Sequence, residues 1–280
     1  MKSTVKLVIM IVAAVFLVPA LLISAVYLNI LGIDRHHETI AETVIDPRAA
    51  QYIAQTYPGN DFEVSDAYHV FKDNCYRVKV TSASSRDTRF YVDFDDESFQ
   101  LEYDSYERNV LSGGNTFNRI QEAYNGLITQ TLQGLPGVHI CRGEFCRYSE
   151  TAGGTLYLSP NGLDGSTLEL DRKYDVAAMG WNYGYITLTV LEEEENINLE
   201  HAAEVLAELD RILTEAGVGY YAVDFTLASG AYPENHVEFH IYDVTWEDLN
   251  RGDSLARLKK IWDAQEAKRQ ELKAQWADKG

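Results

Sequence analysis

Apolar residues run without a charge from Leu7 to Leu28 and then break into short periodic stretches for the rest of the chain. A helix needs ~20 such residues, at 1.5 Å of rise each, to cross a bilayer. Pro19 is tolerated in a lipid-embedded helix, and Tyr27 and Asn29 suit its outer interface. The apolar core of a cleaved signal peptide is shorter, about 7–15 residues. Ile23 also spoils the small-residue pattern around Ala25, so an uncleaved anchor is expected. No cysteine is present there for lipid attachment. Lys2 and Lys6 precede the segment, which predicts a cytoplasmic N-terminus and an extracytoplasmic remainder, although Arg35 on the far side weakens the bias.

Beyond the anchor the pattern predicts a helix over 38–57, with Asp46 as an N-cap, Pro47 breaking or restarting it, and Ala50, Ile53, Ala54 and Tyr57 on one face. Strands follow: one from Phe62 toward Phe71, then alternations at Tyr76/Val78/Val80, Phe90/Val92/Phe94 and Phe99/Leu101/Tyr103. Turns at Asp73-Asn74 and Asp95-Asp96 imply an antiparallel meander with the helix across one face. Ser112-Gly113-Gly114 marks a break, followed by a helix over 116–132. A second unit then shows strands at 155–158, 167–170, 184–191, 221–227 and 237–241. Asn198 caps a helix with an apolar stripe of Leu199, Ala202, Ala203, Leu206, Leu209 and Leu213, and Gly217 stops it. A last helix over 253–276 carries Leu255, Leu258, Trp262, Leu272 and Trp276 on one face, interrupted by Gln265 and Arg269. It is basic, and its stripe is expected to dock on the chain's own body. The fold class is α+β: an N-terminal transmembrane helix followed by two small α+β units with antiparallel sheets. The expected parts are 1–33, 34–112 and 113–280, the last resembling a split βαβ arrangement.

Charge narrows the function. The formal net charge is −19 over 280 residues. Such a field repels nucleic acid and favours a basic protein or peptide partner. The other partner expected is the lipid bilayer itself, through residues 7–28. Cys141 and Cys146 are close enough in sequence for a disulfide in an oxidising compartment, with two buried thiols as the alternative. Cys75 reads as a buried strand residue.

Candidate chemistry is sparse. His236, Glu238 and His240 alternate onto one strand face, about 6.7 Å between neighbours; two of them could share a zinc ion, with His139 and Cys141 as further donors. A solvated polar face explains the same spacing. Asp93, Asp95, Asp96 and Glu97 form an acidic cluster without the pattern of a calcium loop. Searches for G-x-S-x-G, H-E-x-x-H, Walker and dinucleotide motifs find none. A non-enzymatic role without cofactors is therefore expected. Trp181, Tyr183 and Tyr185, flanked by glycine, are candidates for an aromatic groove, or for ordinary sheet packing.

The run Tyr57-Pro58-Gly59-Asn60-Asp61-Phe62-Glu63-Val64, set between a short helix and an aromatic meander, resembles the YfjL-like proteins of Gram-positive bacteria. The likeness covers the first ~110 residues and is looser beyond. It implies a cell-envelope location and a two-domain outer region, and transfers no functional residue. Together these readings point to an envelope-anchored binding or interaction module, with sheet edges open to a partner strand. The alternatives are a metal-binding protein or metal-dependent enzyme at His236, Glu238 and His240, and a structural spacer.

Overall fold

The computed structural model describes residues 35–145, 162–229 and 237–277, without the side chains of 276 and 277. The expected anchor at 7–28, the strand at 155–158, Cys146, His236 and the Trp276 side chain lie outside the described residues. Among those described, no helix is long and apolar enough to cross a membrane. The chain divides into two compact units, one ending at Ser112 and the other starting at Gly113.

In the first unit the chain is helical from residue 35, passes through a π-turn at Ala41–Ile45 and continues as α1 (Asp46–Thr56). Pro47 was expected to break this helix. It does not, because the turn before it widens: the Asp46 N–H bonds to the Ala41 carbonyl, five residues back. Asp46 is not the cap either. Its Oδ1 accepts the Ala67 N–H at 2.8 Å instead. The buried stripe is Ala41, Ile45, Ala49 and Ile53 rather than one through Ala50 and Ala54, since it follows the helix unbroken across Pro47.

The sheet of this unit holds β1 (Phe62–Val64), β2 (Tyr68–Val70), β3 (Cys75–Ser82), β4 (Arg89–Asp95) and β5 (Leu101–Asp104), in the order β1-β3-β4-β5 with β2 also on β3. Every pairing is antiparallel. The single strand expected from Phe62 toward Phe71 is split where Asp46 captures Ala67. Tyr76, Val78, Val80, Phe90, Val92 and Phe94 pack against the helical stripe. Tyr57 sits at the end of α1 against Phe90 and Tyr106, and its hydroxyl and that of Tyr52 both donate to Asp104 at 2.7 Å. Leu101 and Tyr103 are exposed, contrary to the alternation, because a bulge between Asp93 and Phe94 shifts their register.

On the opposite sheet face, Tyr68, Arg77, Asp93 and Tyr103 form one row across four strands. Arg77 donates from Nε and Nη2 to the two Asp93 oxygens at 2.8 and 2.7 Å. Asp93 is buried, and that fork gives both of its oxygens a donor. Arg77→Ala should destabilise the protein by about 3 kcal/mol in urea unfolding, and Arg77→Ala/Asp93→Ala by much less, since only the single variant strands a buried carboxylate.

The second unit holds β6 (Val138–Phe145), β7 (Gly184–Leu191), β8 (Ala222–Ser229) and β9 (Val237–Thr245), in that order across the sheet. Its helices are α2 (Gly114–Thr131), α3 (Val176–Tyr183), α4 (Leu199–Glu215), α5 (Trp246–Asn250) and α6 (Ser254–Ala277). β7 and β8 pair in parallel, which corrects the expectation of a wholly antiparallel sheet. The reason is α4, which crosses over between them; antiparallel neighbours need only a short turn. Asn198 caps α4 by accepting the His201 N–H at 2.8 Å, and Ala202, Leu206, Leu209 and Leu213 are fully buried. β8 is central and buried on both faces. The strand expected at 167–170 is absent: Asp164 holds the Ser166 N–H and hydroxyl, which curls residues 165–167 into a tight turn.

The apolar stripe of the last helix, α6, docks with its first half only. Leu258 is buried and Trp262 stacks on Phe239 at 5.7 Å, whereas Leu255 and Leu272 are exposed. Gln265 and Arg269, which interrupt the stripe, meet the outer edge of β9. The Gln265 amide exchanges two hydrogen bonds with the Tyr242 backbone, at 3.0 and 2.7 Å, and Arg269 donates to the His240 carbonyl. On the other edge Asn125 and Gln121 of α2 accept the Gly143 and Phe145 N–H groups of β6. Helix side chains thus occupy backbone groups on both edges of this sheet, which narrows the room for an added strand.

Candidate functional site

The site is built on close backbone approach at the start of β7. α3 carries Trp181, and the segment 218–221 runs beside it: the Gly219 N–H bonds the Ala177 carbonyl at 3.0 Å. A Cβ on Gly180 would run into the Gly219 carbonyl, and one on Gly219 would meet Trp181 Cγ at 2.5 Å, so only glycine lets the indole lie there. The Gly219 carbonyl accepts the hydroxyl of the buried Tyr124 at 3.0 Å. Behind the indole, Tyr220 is buried, with its hydroxyl on Asp210 at 2.7 Å. Burial and that carboxylate push the phenol far above its ordinary pKa, so it stays a neutral donor.

Trp246 completes the arrangement. It opens α5, where Thr245 and Asp248 form a capping box, and its N–H bonds the Tyr221 carbonyl at 3.1 Å. The Trp181 and Trp246 rings meet at 82° with centroids 5.5 Å apart. They wall a cleft of about 370 Å³ that Tyr221 and Glu247 also line. Trp181 is 39% exposed and Trp246 36%, so the two largest aromatic side chains of the cleft are held in place yet open to solvent.

Of the three residues singled out as a groove, the structure brings only Trp181 into this cleft. Tyr183 lies two positions on along the same helix, which points it elsewhere, and it packs on the core. Tyr185 is on β7 and reaches the cleft indirectly, its ring 6.2 Å from that of Tyr221. Sequence reasoning missed Trp246, Tyr221 and Glu247, which join Trp181 from 40 or more positions away. The one available signal was composition: Trp246 is one of four tryptophans in the chain.

The other candidates do not converge. The His240 ring bonds Thr226 Oγ1 at 2.9 Å through Nδ1 and Glu238 at 2.5 Å through Nε2, so both nitrogens are already engaged. Glu238 and His240 thus look like a paired polar sheet face, and His236 lies outside the described residues. His139 is exposed on β6 while Cys141 packs toward the core, with burial raising its thiol pKa. Asp93, Asp95 and Asp96 are dispersed on Arg77, Ser98 and His69. Among the described residues, no group of three or more His, Cys, Asp or Glu side chains is placed to hold a metal ion.

Residues 125–259 match the family model for the YfjL-like C-terminal domain. This stretch is similar to the YfjL-like C-terminal domain. The family resemblance read from the sequence is thus borne out, but the match falls in the half whose likeness was loosest rather than on the 57–64 motif. No curated protein matches the chain. A solved structure of a DUF5037 family protein from Ruminococcus gnavus is 10% identical, covering 76% of this chain and 96% of that one, with a TM-score of 0.23. Trp181, Tyr221, Trp246 and Glu247 all lie within the matched stretch, and Tyr124 stands one residue before it.

The same stretch also sets a buried carboxyl, Asp224, against an exposed one, Asp243. Asp224 is 8% exposed, accepts the Asp243 N–H at 2.9 Å, and has its pKa raised by burial and by the charge of Asp243. Asp243 in turn accepts the Tyr185 hydroxyl. A carboxyl raised in the folded state favours folding at low pH, and that advantage is lost as pH rises from the ordinary carboxylate range through the folded value. Asp224→Asn keeps the acceptor without the charge. It should therefore raise Tm at pH 7, with the gain over wild type fading as the pH falls to about 3.

Proposed function

We propose that the chain is a non-enzymatic binding module of the cell envelope, held by residues 7–28 as a single-pass anchor with the remainder extracytoplasmic. The apolar run at 7–28 and the basic Lys2 and Lys6 before it support the location. The observation that carries the binding reading is the exposed Trp181–Trp246 pair. Tryptophan is enriched in binding hot spots, where a rigid, half-open ring offers area at small entropic loss. A spacer would have no use for two such rings fixed by glycine contacts and a buried tyrosine hydroxyl.

Cross-linking of intact cells with a membrane-impermeant amine reagent tests location and binding together. The full-length chain should be labelled and linked to a partner, and Trp181→Ala/Trp246→Ala should reduce that adduct about thirtyfold or more, the loss of a typical hot spot. An unlabelled chain would contradict the orientation. A labelled chain with no partner, or with the same adduct in the double variant, would favour a spacer.

A further inference from the structure

We infer that the cleft takes a positively charged side chain, a lysine or arginine on a basic peptide; the inference rests on reading the cleft as a binding surface. Two indole planes at 82° form a right-angled corner, and Tyr221 and Glu247 line the remainder. A cation within ~6 Å of an indole face is attracted by the ring quadrupole, and a corner offers it two rings at once. Glu247 supplies the formal countercharge, and Asp243 adds a second carboxylate past Tyr185 and Tyr221. The chain already sets a guanidinium on this carboxylate: Arg251 Nη2 lies 2.8 Å from Glu247 Oε1. That pair is one turn of helix apart and more than half exposed on both sides, so it is weak and displaceable. Arg251 therefore acts as a resident competitor for the cation a partner would bring. An anionic ligand would meet Glu247 and a net charge of −19, and an apolar one would desolvate the Glu247–Arg251 pair with nothing in return.

The test is a tryptophan-fluorescence titration of the detergent-solubilised full-length protein at about 0.1 M salt, where exposed charges beyond ~10 Å are screened. The probes are hexa-arginine amide, a neutral hexaglutamine amide and a neutral oligosaccharide. Saturable binding of the arginine peptide alone is expected. Trp246→Ala should weaken it about tenfold and Glu247→Gln several-fold, whereas Arg251→Ala should tighten it. Glu247 and Arg251 are surface residues, so these two variants read the site without threatening the fold. Absent saturation, equal binding of a neutral probe, or an affinity indifferent to Glu247→Gln and Arg251→Ala would overturn the cationic assignment. If the cellular adduct still depends on Trp181 and Trp246, the binding reading survives and only the ligand chemistry falls. Loss of both removes both.

Discussion

The hydroxyl of Tyr124 on the carbonyl of Gly219 is the contact on which the second unit's candidate site depends. Tyr124 comes from α2, is fully buried, and stacks on Phe145 at 4.4 Å. Its ring fills the space that side chains on Gly180 and Gly184 would need. Gly219 in turn leaves room for the Trp181 indole. One buried tyrosine thus fixes the end of α3, the start of β7 and the approach to β8. A buried carbonyl without such a donor would cost about 1–3 kcal/mol, so the contact is structural before it is functional.

The rest of the second unit leaves the cleft as its most distinctive open feature. Its sheet is packed on one face by α2 and α4, and backbone groups on both edges are engaged by helix amides and by Arg269. The other face, half-buried around Thr226 and His240, carries polar residues that pair among themselves, His240 with Thr226 and Glu238 above all. Polar faces of that kind are the common condition of a one-sided sheet. Two adjoining half-exposed tryptophans are not, and for that reason the functional reading is placed on them.

Much of the fold was legible in the sequence where periodicity and burial coincide. β3 and β4 alternate cleanly because one face is buried, and α4 announces itself through Asn198, its leucine stripe and Gly217. Legibility failed where a side chain overrides the local pattern. Asp46 reaches Ala67 and splits a strand, Asp164 curls a segment that alternates like a strand, and a bulge turns Tyr103 outward. The parallel pairing of β7 with β8 was hidden because the alternation at 221–227 marks a strand but not its direction, which the α4 crossover sets. At the site, Trp181 was visible for its glycine flanks. Its partners Tyr221, Trp246 and Glu247 were not, since chain crossover rather than spacing brings them together.

The most direct test of this account is the arginine-peptide affinity of the Tyr124→Phe protein, measured below its Tm. Removing one hydroxyl leaves ring packing intact and frees the Gly219 carbonyl. The account predicts a folded protein with a lowered Tm and an affinity several-fold weaker than wild type, as Gly219 and Trp181 relax. A wild-type affinity in that variant would contradict the claim that this contact assembles the cleft.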